Sequence, residues 1–198
     1  MLKKIAIAGV LAAMLPLPAL ADPYLLFGGA TGTVDLDNIQ NAYPAASTAD
    51  DTVNRAIVGV GGRVNQFVGV EATYMTKTNN NVHDNLGHRD NFNHDGFQLA
   101  LLGFVPLAQN IDLFGKVSAN ILNTEYNTNF GPSYYSESHN DTHFGFGGGV
   151  EFNVSKNATV RAEVEQIQIR NVVDPNVLNG NPGDFNVTQG SLNLLVYF

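Results

Sequence analysis

The chain has 198 residues, with 10 Lys+Arg against 18 Asp+Glu, a formal net charge of −8 and no cysteine. That acidic balance argues against nucleic acid as a partner, because phosphate binding needs a basic surface. The lack of thiols excludes a disulfide framework and thiolate metal sites.

Lys3 and Lys4 precede an apolar run from Ile5 to Leu15, followed by Pro16, Pro18 and the tripeptide Ala19-Leu20-Ala21. A basic, then apolar, then small-residue order is the layout of a secretory signal peptide. The alternative, a transmembrane anchor, is too short here, since about 11 residues rise only about 16 Å as a helix, roughly half a bilayer core. The spacing predicts cleavage after Ala21, with Ala19 and Ala21 at the small-residue positions, leaving 1–21 as signal peptide and one domain over 22–198. No apolar stretch near 20 residues follows. A mature chain that enters a membrane therefore crosses as a closed barrel, which satisfies its backbone polar groups without a helix.

From Asp22 onward, period-two apolar segments alternate with stretches rich in Asn, Asp, Gly and Ser, which predicts an all-β domain. Eight strands are expected, at Tyr24–Val34, Val53–Val64, Phe67–Lys77, Gly96–Leu107, Ile111–Asn123, Thr142–Val154, Ala158–Ile169 and Phe185–Phe198. Three connections are tight turns: Asn65-Gln66, Ala108-Gln109-Asn110 and Ser155-Lys156-Asn157. The other four, Asp35–Thr52, Thr78–Asp95, Thr124–Asp141 and Arg170–Asp184, are long and polar. Strict alternation of short and long connections is the topology of an antiparallel up-and-down transmembrane barrel. A soluble sandwich gives no reason for every second loop to be long.

Side-chain parity agrees with this. In the fifth strand Leu113, Val117, Ala119 and Ile121 share one face, and Lys116, Ser118 and Asn120 the other. In the seventh, Val160, Ala162 and Val164 oppose Arg161, Glu163 and Glu165. The last strand places Gly190, Leu192, Leu194, Val196 and Phe198 on one face and ends on the aromatic residue. Leu192, Leu194, Val196 and Phe198 resemble the C-terminal signal by which outer-membrane proteins are recognised by the barrel-assembly machinery.

Three stretches carry a wider likeness: Gly61-Gly62-Arg63-Val64-Asn65-Gln66-Phe67-Val68-Gly69-Val70-Glu71; Gly96-Phe97-Gln98-Leu99 with Pro106 and Ile111-Asp112-Leu113-Phe114; and Gly148-Gly149-Val150-Glu151-Phe152 with Arg161-Ala162-Glu163. Together they resemble the eight-stranded transmembrane domain of the OmpA-like family, kin to the small opacity-type and OmpX-like surface barrels of Gram-negative bacteria. The resemblance spans nearly the whole mature chain and implies the fold; such barrels host many roles.

Glu71, Lys116, Glu151, Arg161 and Glu163 all take the inward parity. The resemblance implies that they form interior ion pairs that fill the barrel, acting as a structural plug or an ion-conducting gate. Leu102 departs from the family, which often has an interior lysine there, so Lys116 is the expected substitute partner for Glu151. Glu71 and Arg161 each sit within about 5 residues of a short turn, which at roughly 3.3 Å per residue gives them comparable depth.

The expected function is that of an integral outer-membrane barrel with a structural, surface-exposed role, open to a porin-like narrow channel, with no chemistry and no cofactor of its own. Its partners would be outer-membrane lipids and lipopolysaccharide, the assembly machinery, and host surface molecules reached through the loops. Two alternatives stand beside it. One is a lipid-modifying enzyme using His143 with Ser136, Ser138 or Asp141, and the other is a soluble lipocalin-like carrier. His83, His88, His94, His139 and His143 lie among carboxylates, yet their spacing matches no established metal site. The Gly59–Gly62 and Gly145–Gly149 runs open no helix, so dinucleotide binding is not expected.

Overall fold

The structure, a computed structural model, describes residues 22–35, 52–77, 80–83, 89–130, 133–169 and 185–198. The proposed signal peptide, with Ala19 and Ala21, lies outside the described residues, as do 36–51, 84–88 and 170–184. The strands are β1 (Asp22–Asp35), β2 (Thr52–Asn65), β3 (Val68–Met75), β4 (Asn80–His83), β5 (Arg89–Ala108), β6 (Ile111–Phe130), β7 (Ser133–Ser155), β8 (Ala158–Ile169) and β9 (Phe185–Tyr197). Apart from β3 and β4, each pairs antiparallel with its chain neighbour, and β9 returns to β1. Both β3 and β4 lie along β5. They are two segments of one barrel strand, so nine segments make a closed barrel of eight strands.

The register fixes the barrel's dimensions. From Tyr24 the pairs lead through Gly61, Glu71, Ala100, Ser118, Gly145, Ile167 and Val187, and return to β1 at Val34, ten residues beyond the start. A stagger of ten over eight strands corresponds to strands tilted about 40° from the axis, with an interior just wide enough for side chains to fill. Every residue on that circuit described by burial, from Tyr24 to Val187, faces inward.

The alternation of residue types sets this two-sided wall. Leu99, Leu101, Val117, Phe146, Val164 and Leu192 stand more than half exposed on the outer face, while Gln98, Lys116, Ser118, Glu163, Glu165 and Asn193 are buried within. A soluble domain would do the reverse; an apolar exterior around a polar interior suits a hydrocarbon solvent. Short-turn chemistry is local: the Asn65 side-chain oxygen accepts from the Phe67 and Val68 amides at 2.8 and 3.0 Å, closing an Asx turn.

Two of the four stretches read as loops from sequence are mostly strand. β5 begins at Arg89 rather than Gly96, β6 runs on to Phe130, and β7 starts at Ser133. Their Asn, Thr, Ser and Asp content has low intrinsic strand preference. The ladder nevertheless continues from the barrel wall, with β6 paired to β5 as far as Asn129 and to β7 as far as Phe130. Polar side chains suit a sheet that is wet on both faces, and β propensity yields to such context.

Because the ladder closes on itself, no strand edge is available from which the barrel wall can unzip. Folded protein in detergent is therefore expected to migrate differently on a gel before and after boiling. Equal mobility of the two samples would count against a closed barrel.

Candidate functional site

The polar residues that the register turns inward form a column along the barrel axis, best followed from the short-turn end. There Arg63 of β2 donates to Asp112 of β6 at 2.6 Å and to Glu151 of β7 at 2.7 Å, with its guanidinium 4.0 Å from the Phe104 ring centroid. Deeper, Arg161 of β8 is 0 % exposed. It donates through Nε and Nη2 to Glu151, at 2.8 and 2.5 Å, and through Nη1 to Glu71 of β3. The Tyr24 hydroxyl donates to the same Glu71 oxygen at 2.5 Å. Phe114 packs beside the guanidinium, 4.8 Å away, so this tier is an arginine held between two carboxylates and an aromatic collar.

The next tier is centred on Lys116 of β6. Its ammonium pairs with Glu163, lies 3.0 Å from Glu165, and donates to the Gln98 side-chain oxygen at 3.1 Å. Glu165 also accepts from Ser118 at 2.6 Å, Gln98 at 2.9 Å and Gln189 at 3.1 Å. Toward the long-loop end, Arg55 of β2 donates through Nε to Gln189 at 2.8 Å. Five carboxylates (Glu71, Asp112, Glu151, Glu163 and Glu165) thus share the column with four cations: Arg63, Lys116 and Arg161 pair with them directly, and Arg55 is linked to Glu165 through Gln189. Near-balance is needed where water is scarce, because an unpaired buried charge costs several kcal/mol.

Two glycines make room for the column. A Cβ at Gly61 would stand 2.7 Å from the Glu71 side chain and 2.8 Å from the Tyr24 ring and hydroxyl. At Gly145 it would stand 2.8 Å from a Glu165 oxygen. The cavity bordered by Glu71, Thr73, Gln98, Lys116, Glu163 and Glu165 measures only about 10 Å³, space for one water at most.

All five charged residues singled out from sequence lie in this column: Glu71, Glu151 and Arg161 meet in one tier, Lys116 and Glu163 in the next. Lys116 does not serve Glu151, contrary to expectation. Arg63 and Arg161 do so, because the register puts Lys116 opposite Gly147, nearer the long-loop end than Glu151. Sequence reading passed over Arg63, Arg55, Asp112 and Tyr24. Parity in β2 offered a signal, since Arg55 and Arg63 share the face of Gly61, but glycines at positions 59, 61 and 62 blur that alternation.

Leu192, Leu194, Val196 and Phe198 all stand exposed on the outer face, on the strand that closes the barrel against β1. His143 is 4 % exposed and points into the lumen side of β7, an awkward position for meeting a lipid substrate. The side chains of its suggested partners Ser136 and Ser138, and those of His83, His94 and His139, lie outside those described, as does the whole of His88.

The sequence profile of the outer membrane protein beta-barrel domain matches residues 6–198. No curated protein sequence matches the chain. Among solved structures, Neisserial surface protein A (NspA) superposes with a TM-score of 0.62 at 14% identity, over 89% of this chain and 97% of its own. OprG of Pseudomonas aeruginosa gives 0.60 at 15% identity, over 90% and 97%. Ail, the attachment invasion locus protein of Yersinia pestis, in complex with the heparin analogue sucrose octasulfate, gives 0.58 at 16% identity, over 89% and 98%. At these identities the likeness is one of fold.

Proposed function

Since this chain belongs to the outer membrane protein beta-barrel domain family, an integral protein of the outer membrane, we propose that it is a plugged barrel with a structural and surface-exposed role and no chemistry of its own. The observation that supports this most directly is the middle of the lumen, where the paired charges border a cavity of only about 10 Å³. A hydrated ion cannot pass such an interior without displacing side chains. Planar-bilayer recording of the refolded protein tests the reading: a closed record is expected, and a steady open conductance would replace plug by channel.

The long-loop end would face the cell exterior and carry any adhesion or host contact, with lipopolysaccharide around the wall. The four long polar stretches hold 12 Asp+Glu against 2 Lys+Arg. Repulsion makes a polysulfated saccharide of the kind bound to Ail a poor ligand for such a surface, so a cationic partner fits better. The terminal signature would serve the barrel-assembly machinery. Deleting Phe198 is expected to leave export intact while lowering the amount in the outer membrane, read by fractionation. Undiminished levels would remove that role.

A further inference from the structure

A groove of about 1210 Å³ crosses the outer face of the wall. It follows one row of paired residues, Val150 of β7, Ala162 of β8, Leu192 of β9, Gly29 of β1 and Ala56 of β2, and ends beside Thr76, just past β3. Five steps between strands, at roughly 4.8 Å each, make about 24 Å along the wall. Because the strands tilt about 40°, the row climbs about 15 Å toward the long-loop end, the depth of one leaflet's hydrocarbon. Short side chains keep the groove open: Ala162, Gly29 and Ala56 point outward and are exposed. The next row toward the short turns carries Phe152, Leu194 and Phe27, each nearly half exposed, as its lower lip. The barrel's own packing does not require glycine at two of the lining positions. A Cβ at Gly29 would lie 3.8 Å from the Arg55 carbonyl oxygen, and one at Gly190 3.9 Å from that of Glu163, both ordinary contacts. Glycine inside a strand costs stability, and where a side chain would fit, its absence suits a second body lying close to the backbone.

We propose that the groove holds an acyl chain of an outer-leaflet lipopolysaccharide, with the amide or ester group at the head of the chain hydrogen-bonded at the groove's upper end. There Thr31 and Asn54, partners in the register, present a hydroxyl and an amide on the outer face beside Thr76. The inference rests on the reading that the long-loop end faces the exterior. The wall of an integral outer-membrane barrel is already a lipid interface, and the groove is continuous with it. Hydrocarbon gives no hydrophobic drive for a chain to leave bulk lipid, so the preference must come from packing and hydrogen bonds. A chain in the groove meets protein on its floor and along its lip, where a flat wall offers one side only, and gains dispersion contact. The carbonyl at its head gives Thr31 and Asn54 a partner at the edge of hydrocarbon, where polar groups are costly to leave unpaired. A second barrel fits less well, since its convex wall cannot enter so narrow a trough.

Lipid retention tests the proposal. Protein refolded into phosphatidylcholine vesicles holding a minor fraction of lipopolysaccharide is extracted in mild detergent, and the lipid that stays with it is identified by mass spectrometry. The parent is expected to keep lipopolysaccharide in preference to phosphatidylcholine. Gly29→Leu with Gly190→Leu, which fills the groove from positions with room for a side chain, should keep about tenfold less. Leu101→Ala, on the outer face of β5 away from the groove, should match the parent. Thr31→Val with Asn54→Ala leaves the trough open, removes the hydrogen bonds, and should also lower retention. Equal retention by the parent and the filled variant would overturn the proposal, as would preferential retention of phosphatidylcholine. So would barrel-to-barrel cross-links that vanish on filling while the retained lipid stays unchanged, since the groove would then belong to a second copy.

Heat-dependent gel mobility shows which variants are folded, and Gly29→Ala with Gly190→Ala gives a milder filling should the leucines prevent folding. Orientation is checked apart from lipid binding, using the absence of cysteine from the chain. Lys156→Cys places a thiol in a short turn, which a membrane-impermeant reagent applied to intact cells should not reach. Labelling there would overturn the outward placing of the long loops, and the proposal with it. No labelling together with equal lipid retention would overturn the groove's role alone and leave the plugged barrel untouched.

Discussion

Replacing Arg161 by alanine is expected to lower the stability of the barrel by about 3–5 kcal/mol, the cost of breaking a buried charge pair from one side. Arg161 bonds Glu71 and Glu151 and is wholly enclosed. Its loss strands Glu71, whose remaining partner is the Tyr24 hydroxyl, while Glu151 keeps Arg63. Glu71→Ala should cost less, because Arg161 still holds Glu151. Urea unfolding in lipid vesicles of both single variants and the double variant gives the coupling from the cycle. It should be clearly favourable, since the double variant no longer leaves Glu71 ionised without a cation. The exchange of the two residues should recover only part of the loss. An arginine at 71 regains a carboxylate at 161, but that carboxylate then faces Glu151. A coupling indistinguishable from zero would mean that Glu71 and Arg161 do not act as a pair.

The closed eight-stranded wall was legible in the sequence because hydrocarbon imposes a simple pattern: apolar residues at every second position and turns that are short on one side only. Parity alone turned Lys116, Glu163 and Arg161 inward. What it could not supply was rotation between strands. Whether Lys116 reaches Glu151 or Glu163 depends on the stagger of β6, β7 and β8, which no single strand records. The stagger brings Arg63 to Glu151 from across the lumen, 88 residues away in sequence. The extensions of β5, β6 and β7 were hidden for a different reason. Outside hydrocarbon no face must be apolar, so the periodic signal disappears while the backbone ladder goes on. Loops and wet strands then have the same composition.

The chemistry of the column also explains why the interior is charged at all. Apolar side chains would fill the lumen equally well, and buried ion pairs are often no more stable than a well-packed apolar replacement. The paired charges do distinguish inside from outside. A strand slipped by one residue would turn Glu163 and Glu165 toward lipid, at a cost that apolar residues on both faces would not impose. In this barrel the column therefore acts as a register lock, and its breakage should be felt through particular partners rather than through lost volume.

Lys116→Met tests that idea through the most connected cation of the upper tier. Methionine keeps much of the lysine's apolar length but removes the charge that Glu163 and Glu165 share. Two neighbouring carboxylates then face one another in a confined site, and the expected loss in urea unfolding is again about 3–5 kcal/mol. The two carboxylates should differ in how well their neutralisation rescues the variant. Glu163 is held by the lysine itself, so Glu163→Gln added to Lys116→Met removes a stranded charge and disturbs little else. Glu165 also accepts from Ser118, Gln98 and Gln189. Glu165→Gln would turn an amide donor toward groups that already donate, replacing one unsatisfied contact by another. The rescue should therefore be larger at 163 than at 165, by about 1 kcal/mol or more. Equal rescue at both positions, or a loss under about 1 kcal/mol for Lys116→Met alone, would show that water enters the tier and screens its charges.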